Sequence, residues 1–314
     1  MNKEQEMAGV LRSGLKRLLH KGFFHVFGSS ALNQVVSFAY SLLIVRVISK
    51  EDFGVYSYAV NIYTMFILLS GFGLVSAVMQ LGSEYADDEH RVSSLFAYST
   101  RFGLLFNAGL CAAILLTGLL IPLPISGSNQ ILMTMALIPL LMILKDFGVI
   151  WLRVQLKQKQ FSYANTLNAL LKSGLTILGA MLLKSTGIVL GHYLVEIIML
   201  VVLVSWLKVP VNLRGNSLAR QDKRDLFQIA GISVLNNTLS QLLSLLGAFM
   251  LGLVVLDESI VASFKVATTI PFALNFIPSS LMIFVYPYFA RNKNNREWVR
   301  QNYRKLMVYV GLGN

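Results

Sequence analysis

The chain has 314 residues, 55% of them hydrophobic and only 13% charged, with a mean hydropathy of +0.63 and a formal net charge of +12. Roughly 25% of a typical soluble domain is charged, so these proportions exclude a water-soluble globule and predict an all-α, polytopic membrane helix bundle. There is no basic groove interleaved with aromatics, so the positive charge points to membrane loops and not to nucleic acid.

The first 24 residues place basic side chains ahead of an apolar run, but that run is too long for a secretory signal and no small-residue cleavage pattern follows it. Val10, Leu11, Leu15, Leu18 and Leu19 are expected to form the apolar side of a short interfacial helix, with Arg12, Lys16, Arg17 and Lys21 toward anionic headgroups. A solvated basic tail is the plainer alternative. Apolar runs long enough to cross about 30 Å of hydrocarbon follow at 25–48, 57–79, 95–120, 130–151, 163–183, 189–207, 227–252 and 260–287. Cys111 lies alone in the third run and reads as packing. A further apolar stretch starts near Leu306 and the chain stops at Gly313 and Asn314 before it can cross. The sequence therefore reads as a fragment or truncated product with an unfinished second half.

Between Ser30 and Ser41 the first span carries the ladder S-x-x-N-Q-x-x-S-x-x-x-S, which returns as S-x-x-N-N-x-x-S-x-x-x-S from Ser233 to Ser244, 203 residues later. At about 100° per residue these positions share one face of a helix. Two such stripes predict two related lobes, residues 1–226 and 227–314, each lending a polar wall to a shared interior. Chance is the competing explanation, since Ser and Asn are common. The loops give an orientation: 20 Lys and Arg fall at the amino terminus and in alternate gaps, against only Lys50 and Lys184 in the others. Under the positive-inside rule the amino terminus and every even-numbered gap face the cytoplasm.

Charged side chains inside the apolar runs are the candidate functional groups, because they are costly in hydrocarbon unless paired or hydrated. Arg46 can snorkel from the outer end of its span, and Arg101 from the inner end of the third. Lys145 sits beside Asp146, where the two can neutralise each other. Lys172 is about 11 residues, roughly 16 Å of helix rise, from the end of its span, too far for snorkelling. Asn165, Asn168, Thr176 and Gly179 share its face and predict a hydrated seam. Glu196 lies at equal depth across a short turn, with His192 one turn away, so Lys172 and Glu196 are expected to meet as a structural pair or as a substrate or coupling site. In the eighth span Lys265 shares a face with Thr268, Thr269, Asn275 and Ser279, and Pro271 and Pro278 interrupt the helix as a gate or as ordinary static bends. Gly71 and Gly73 in the second span are weaker candidates of the same kind.

No spacing fits a metal site, a nucleotide-binding glycine loop or a Ser/His/Asp nucleophile, so neither enzyme chemistry nor a cofactor or metal is expected. The longest outer loop, near Ile121 to Asn129, holds about nine residues, which leaves no room for a catalytic outer domain. The run Arg46-Val47-Ile48-Ser49-Lys50-Glu51-Asp52-Phe53-Gly54-Val55-Tyr56 resembles the R-x-L-G-x-x-x-[FY]-G-x-Y pattern of the Wzx-type polysaccharide and O-antigen flippases, within the multidrug/oligosaccharidyl-lipid/polysaccharide exporter superfamily. Gly71-Phe72-Gly73-Leu74, Ile270-Pro271 and Tyr286-Pro287 extend the likeness, while Ile48-Ser49 replaces the family's Leu-Gly.

The resemblance implies a flippase that carries undecaprenyl-diphosphate-linked oligosaccharide from the inner to the outer leaflet of a bacterial cytoplasmic membrane, by alternating access of two six-helix lobes about a cationic cavity. Membrane lipids surround it, and a polysaccharide polymerase and glycosyltransferases are the expected partners. Lys172 and Lys265, helped by Arg101 and Lys145, are then expected to hold the diphosphate. Asn33, Gln34, Asn165, Asn168, Asn236, Asn237 and Gln241 would offer hydrogen bonds to sugar. Membrane potential, or a proton on Glu196 or His192, would power movement. A drug or small-cation exporter of the same superfamily and a non-transporting scaffold for glycan assembly stay open as alternatives.

Overall fold

The computed structural model describes residues 23–123, 126–210, 218–255 and 276–311. The basic segment 1–22, Lys265 and Pro271 lie outside the described residues, as do the side chains of Gln241 and Pro278. All secondary structure among the described residues is helical.

Helix α1 (Phe23–Val47) is followed by α2 (Lys50–Ile67), whose amino terminus is capped by the Ser49 hydroxyl accepting from the backbone N–H of Asp52 at 3.1 Å. The predicted second span is not one helix. It breaks into a 3-10 turn at Ser70–Gly73 and resumes as α3 (Leu74–Glu84). Gly71, Phe72 and Gly73 all have positive φ, which two glycines make cheap. At Gly73 the absence of a side chain is required, because an added Cβ would run into the backbone carbonyl of Ala230.

Helix α4 (Glu89–Leu120) starts at an Asp88 cap and is followed by α5 (Ser128–Thr134) and α6 (Ile138–Val154). The predicted fourth span is likewise broken: α5 and α6 meet at a bend of 42°, with Pro139 in the first turn of α6, where its missing N–H is no loss. Asn107 on α4, fully buried, joins the two breaks. Its Oδ1 accepts from the N–H of Gly71 at 2.8 Å, and its Nδ2 donates to the carbonyl of Pro139 at 2.8 Å and to Ser70 Oγ at 3.1 Å. Backbone groups freed by breaking a helix must find partners in hydrocarbon, and one amide side chain supplies them here.

Helix α7 (Gln158–Val201) folds back on itself at Leu183 and Lys184, whose φ/ψ values leave the helical region. It is thus a hairpin of two arms, as the predicted spans 163–183 and 189–207 require. Gly187 and Gly191 of the second arm lie on Gly179 and on Leu175 and Thr176 of the first; at Gly191 an added Cβ would come 2.7 Å from the Leu175 carbonyl. Small residues four apart let the arms touch backbone to backbone. A π-helical turn, Val202–Trp206, ends the second arm. Then come α8 (Arg220–Val255), α9 (Phe276–Arg291) and α10 (Arg296–Gly311). Pro278 lies in the described part of α9, and the residues before Phe276, where a longer helix would continue, lie outside the described residues.

Three helical segments among the described residues, Ile62–Glu84, Glu89–Leu120 and Gln158–Trp206, are long and apolar enough to cross a membrane, and the bent α5–α6 pair makes a fourth. The connections sort to two ends. Asp52 holds Lys184 at 3.1 Å and its carbonyl accepts from Ser185 at 2.8 Å, while Ser128 donates to the Val55 carbonyl, so the gaps after α1 and α4 and the α7 turn share one end. The hydrogen bond from Ser49, helped by Lys184, holds the Asp52 carboxyl below its usual range. Glu84, Arg91, Val154, Asp222, Arg291 and Lys293 meet at the other, which carries the predicted inner loops and is called the basic end below.

Replacing Asn107 by Leu removes three hydrogen bonds and orphans buried backbone groups at both breaks. The expected cost is about 3 kcal/mol, read as a clear fall in the thermal midpoint of the detergent-solubilised protein. Serine at the same position should recover only part of it.

Candidate functional site

The predicted intramembrane charges converge between α6 and the two arms of α7. The backbone contacts of the hairpin set the depth, and they place Lys172 of the first arm opposite the region of Val195 and Glu196 in the second. Glu196 is nevertheless not bonded to Lys172. Its Oε1 accepts from Lys145 Nζ of α6 at 2.7 Å, with both side chains close to nine-tenths buried. Lys145 thus takes Glu196 as its hydrogen-bonded partner, while Asp146 stays within electrostatic range of Lys145, and Lys172 within range of Glu196. The reason is geometric: consecutive residues on a helix point about 100° apart, so Lys145 can reach Glu196 while Asp146, still within range of both, takes another direction.

The other charges stand around this pair. Asp146, half-buried, lies within electrostatic range of both partners. Lys172 is within range of Lys145 and Glu196, and His192 within range of both lysines. Lys172 is exposed and makes no ion pair among the described residues. Glu196 Oε2, His192 Nε2 and Asn168 Oδ1 are buried without a hydrogen-bond partner among the described residues, as is the hydroxyl of Tyr63 on α2, itself within range of Glu196. Unsatisfied polar atoms at the ion pair, and on Asn168 one turn from Lys172, call for water or a polar ligand. Tyr63 was missed by the sequence reading; on a helix rich in apolar residues a buried tyrosine gives no signal beyond ordinary packing.

The expected hydrated seam on the first arm is only half present. Asn165 and Asn168 are partly exposed beside Lys172. Thr176 is fully buried, its hydroxyl bonded to the Lys172 carbonyl, and Gly179 is pressed against Gly187. These two belong to the hairpin contact and do not line an interior. Asn33 and Gln34 lie on α1, the first half-buried with Oδ1 unpartnered among the described residues and the second exposed. Asn236 and Asn237 are exposed on α8. Arg101 is exposed on α4, one turn from Tyr98; Tyr98 and Phe102 pack on Phe227 of α8 at 6.4 and 4.8 Å between ring centroids, which sets Arg101 beside the seam between α4 and α8. Arg46 is exposed near the end of α1, in keeping with an interface anchor. Cys111 is buried in packing. A cavity of about 240 Å³ between α4, α6 and the end of α7 is lined mainly by Phe96, Phe147, Trp151 and aliphatic side chains, with Ser93 and Thr100, and holds none of the charged groups.

The sequence matches a family model described as polysaccharide biosynthesis protein over residues 43–312. No curated protein sequence matches the chain. Among solved structures, a transporter of the MOP superfamily from Pyrococcus furiosus superposes with a TM-score of 0.75 at 15% identity, over 93% of this chain and 70% of that one. A multidrug resistance MATE family transporter of the MOP superfamily, in an outward-facing conformation, gives the same TM-score, identity and coverage. MATE in complex with MaD5 gives a TM-score of 0.78 at 14% identity, over 93% and 71%. At these identities the likeness establishes the fold alone, a helical membrane bundle.

Replacing Lys145 by Met strands a buried carboxylate and should cost about 3 kcal/mol, whereas Lys145→Met combined with Glu196→Leu should recover most of the loss. A double-mutant cycle on thermal unfolding in detergent measures this. Equal and additive losses would place the two residues out of contact.

Proposed function

The chain belongs to the polysaccharide biosynthesis protein family, and on that premise we propose that it is a membrane flippase for lipid-linked oligosaccharide, moving a diphosphate-linked glycan across the bilayer of a bacterial cell membrane. The observation that carries this reading is Lys172: a cation at mid-depth, exposed, without an ion pair among the described residues, and one helical turn from Asn168 and two from Asn165. A diphosphate supplies the missing counter-charge through charge-assisted hydrogen bonds. Sugar hydroxyls find partners in Asn165, Asn168, Asn33 and Gln34, and on α8 in Asn236 and Asn237. Lys265, Gln241 and Arg101 are proposed as further contacts, and Lys145 as a cation that the anion can reach when Glu196 is protonated. Cargo binding favours one arrangement of the helices over the other only by its differential affinity for the two.

A second reading is kept alive by Asp146 and Glu196, two carboxylates in the same cluster. An exporter of small organic cations would use them in place of the lysines, and multidrug transporters share the fold.

The test is export of surface glycan in cells that depend on this gene or on a longer relative with the same residues. Losing one charge-assisted contact is worth about 1.5–3 kcal/mol, so Lys172→Ala should lower export at least tenfold. Lys172→Arg should retain much of it, and Lys265→Ala should add to the defect. Undiminished export with Lys172→Ala, or loss of drug efflux on replacing Asp146 and Glu196 with glycan export intact, would favour the cation exporter.

A further inference from the structure

Away from the charge cluster, the basic end carries a set of polar contacts between residues more than 130 apart in sequence. Arg91, at the start of α4, grips Asp222 of α8 with two nitrogens, Nε to Oδ2 at 3.0 Å and Nη2 to Oδ1. Tyr85 donates to the same carboxylate at 3.2 Å, and its ring lies 3.6 Å beneath the Arg91 guanidinium. Lys293, just past α9, pairs with Glu84 at the end of α3, and one turn deeper Tyr286 donates to Gln80 at 3.2 Å. Behind these lie Leu226 and Ala230, both fully buried, and the close approach of Gly73 to Ala230.

The four charges are unequally placed. Arg91 and Lys293 keep 43% and 50% of their side chains exposed, while Asp222 and Glu84 keep 5% and 4%. The hydrogen bonds from Arg91 hold the Asp222 carboxyl below its usual range, so it stays ionised where it is buried. A buried carboxylate is tolerated only while its cation is present. Separation of the helices hydrates all four groups at once, and for ion pairs at a water boundary the exchange is close to neutral.

We propose that these two ion pairs form a latch that clamps α8 and α9 onto α3 and α4, closing the basic end of the central cavity so that the site around Lys172 opens toward the opposite end until the latch parts. The device is sharp because each carboxylate, stripped of its partner, penalises the closed arrangement instead of merely failing to favour it. The apolar contacts behind it, Phe102 on Phe227 among them, give the closed end a dry floor. The latch rests on the reading of the chain as an exporter with a central cavity, but it is read by accessibility and not by export, so a wrong cargo leaves it standing.

The experiment labels a cysteine at Val234, half-buried in α8 above the latch, with a membrane-impermeant maleimide in detergent, in a Cys111→Ala background. With native charges labelling is slow. Arg91→Asp together with Lys293→Glu should speed it at least tenfold, and adding Asp222→Arg and Glu84→Lys should slow it again by re-forming both pairs with exchanged signs. Unchanged labelling in the folded charge-reversal variant, or no recovery in the exchanged one, overturns the latch. Should the reversal variant fail to fold, the milder Arg91→Gln with Lys293→Gln is labelled in its place, which strands both carboxylates without adding charge; labelling should rise several-fold, and unchanged labelling overturns the proposal.

Discussion

A charge inside hydrocarbon must be compensated, and the Lys145–Glu196 pair is where this bundle meets that demand. Its bond ties α6 to the second arm of α7, and the hairpin in turn fixes Lys172 and Asn168 on the facing arm. Were the pair absent, a lysine and a glutamate would each need its own route to water. With the pair formed, most of the local charge is cancelled and Lys172 is left as the cation with capacity to spare. The unpartnered oxygens and nitrogen of Glu196, Tyr63, Asn168 and His192 mark how far polar space extends around it.

The depth of that space is set by backbone contacts. Gly179, Gly187 and Gly191 let the arms of α7 approach until register is fixed by the carbonyls themselves. Asn107 does the equivalent for the broken second span and the bent α5–α6 pair, satisfying three groups with one side chain. Breaks in membrane helices are tolerated where protein supplies the missing hydrogen bonds, and both breaks turn on Asn107. The basic end is built differently, with ion pairs at the water boundary, which are easier to part than a dry core.

Much of this was legible in the sequence. The apolar runs located the helices, the sorting of Lys and Arg matched the grouping of loops at two ends, and Lys184 marked the hairpin turn. The equal depth of Lys172 and Glu196 followed from counting residues to that turn. What counting could not supply was the identity of the neighbouring helix, and so only Asp146 was weighed as a partner for Lys145, which reaches Glu196, 51 residues away. Thr176 and Gly179 looked polar and small enough for a wet seam, yet small residues serve equally well for close helix contact. The first break was foreshadowed by Gly71 and Gly73, the second was not singled out, and hydropathy alone runs through both. Asn107 gave no warning, because a single amide in an apolar helix has the same appearance whether it faces a ligand or a broken backbone.

The central claim is that Lys172 imposes positive charge on water-accessible space at mid-depth. It is tested most directly with Asn168→Cys, one turn from Lys172, by comparing its reaction with anionic and cationic methanethiosulfonate reagents of similar size. The expected result is faster reaction with the anion, and loss of that preference when Lys172→Gln is added. Inertness to both reagents, or a preference for the cation while Lys172 is present, would contradict it.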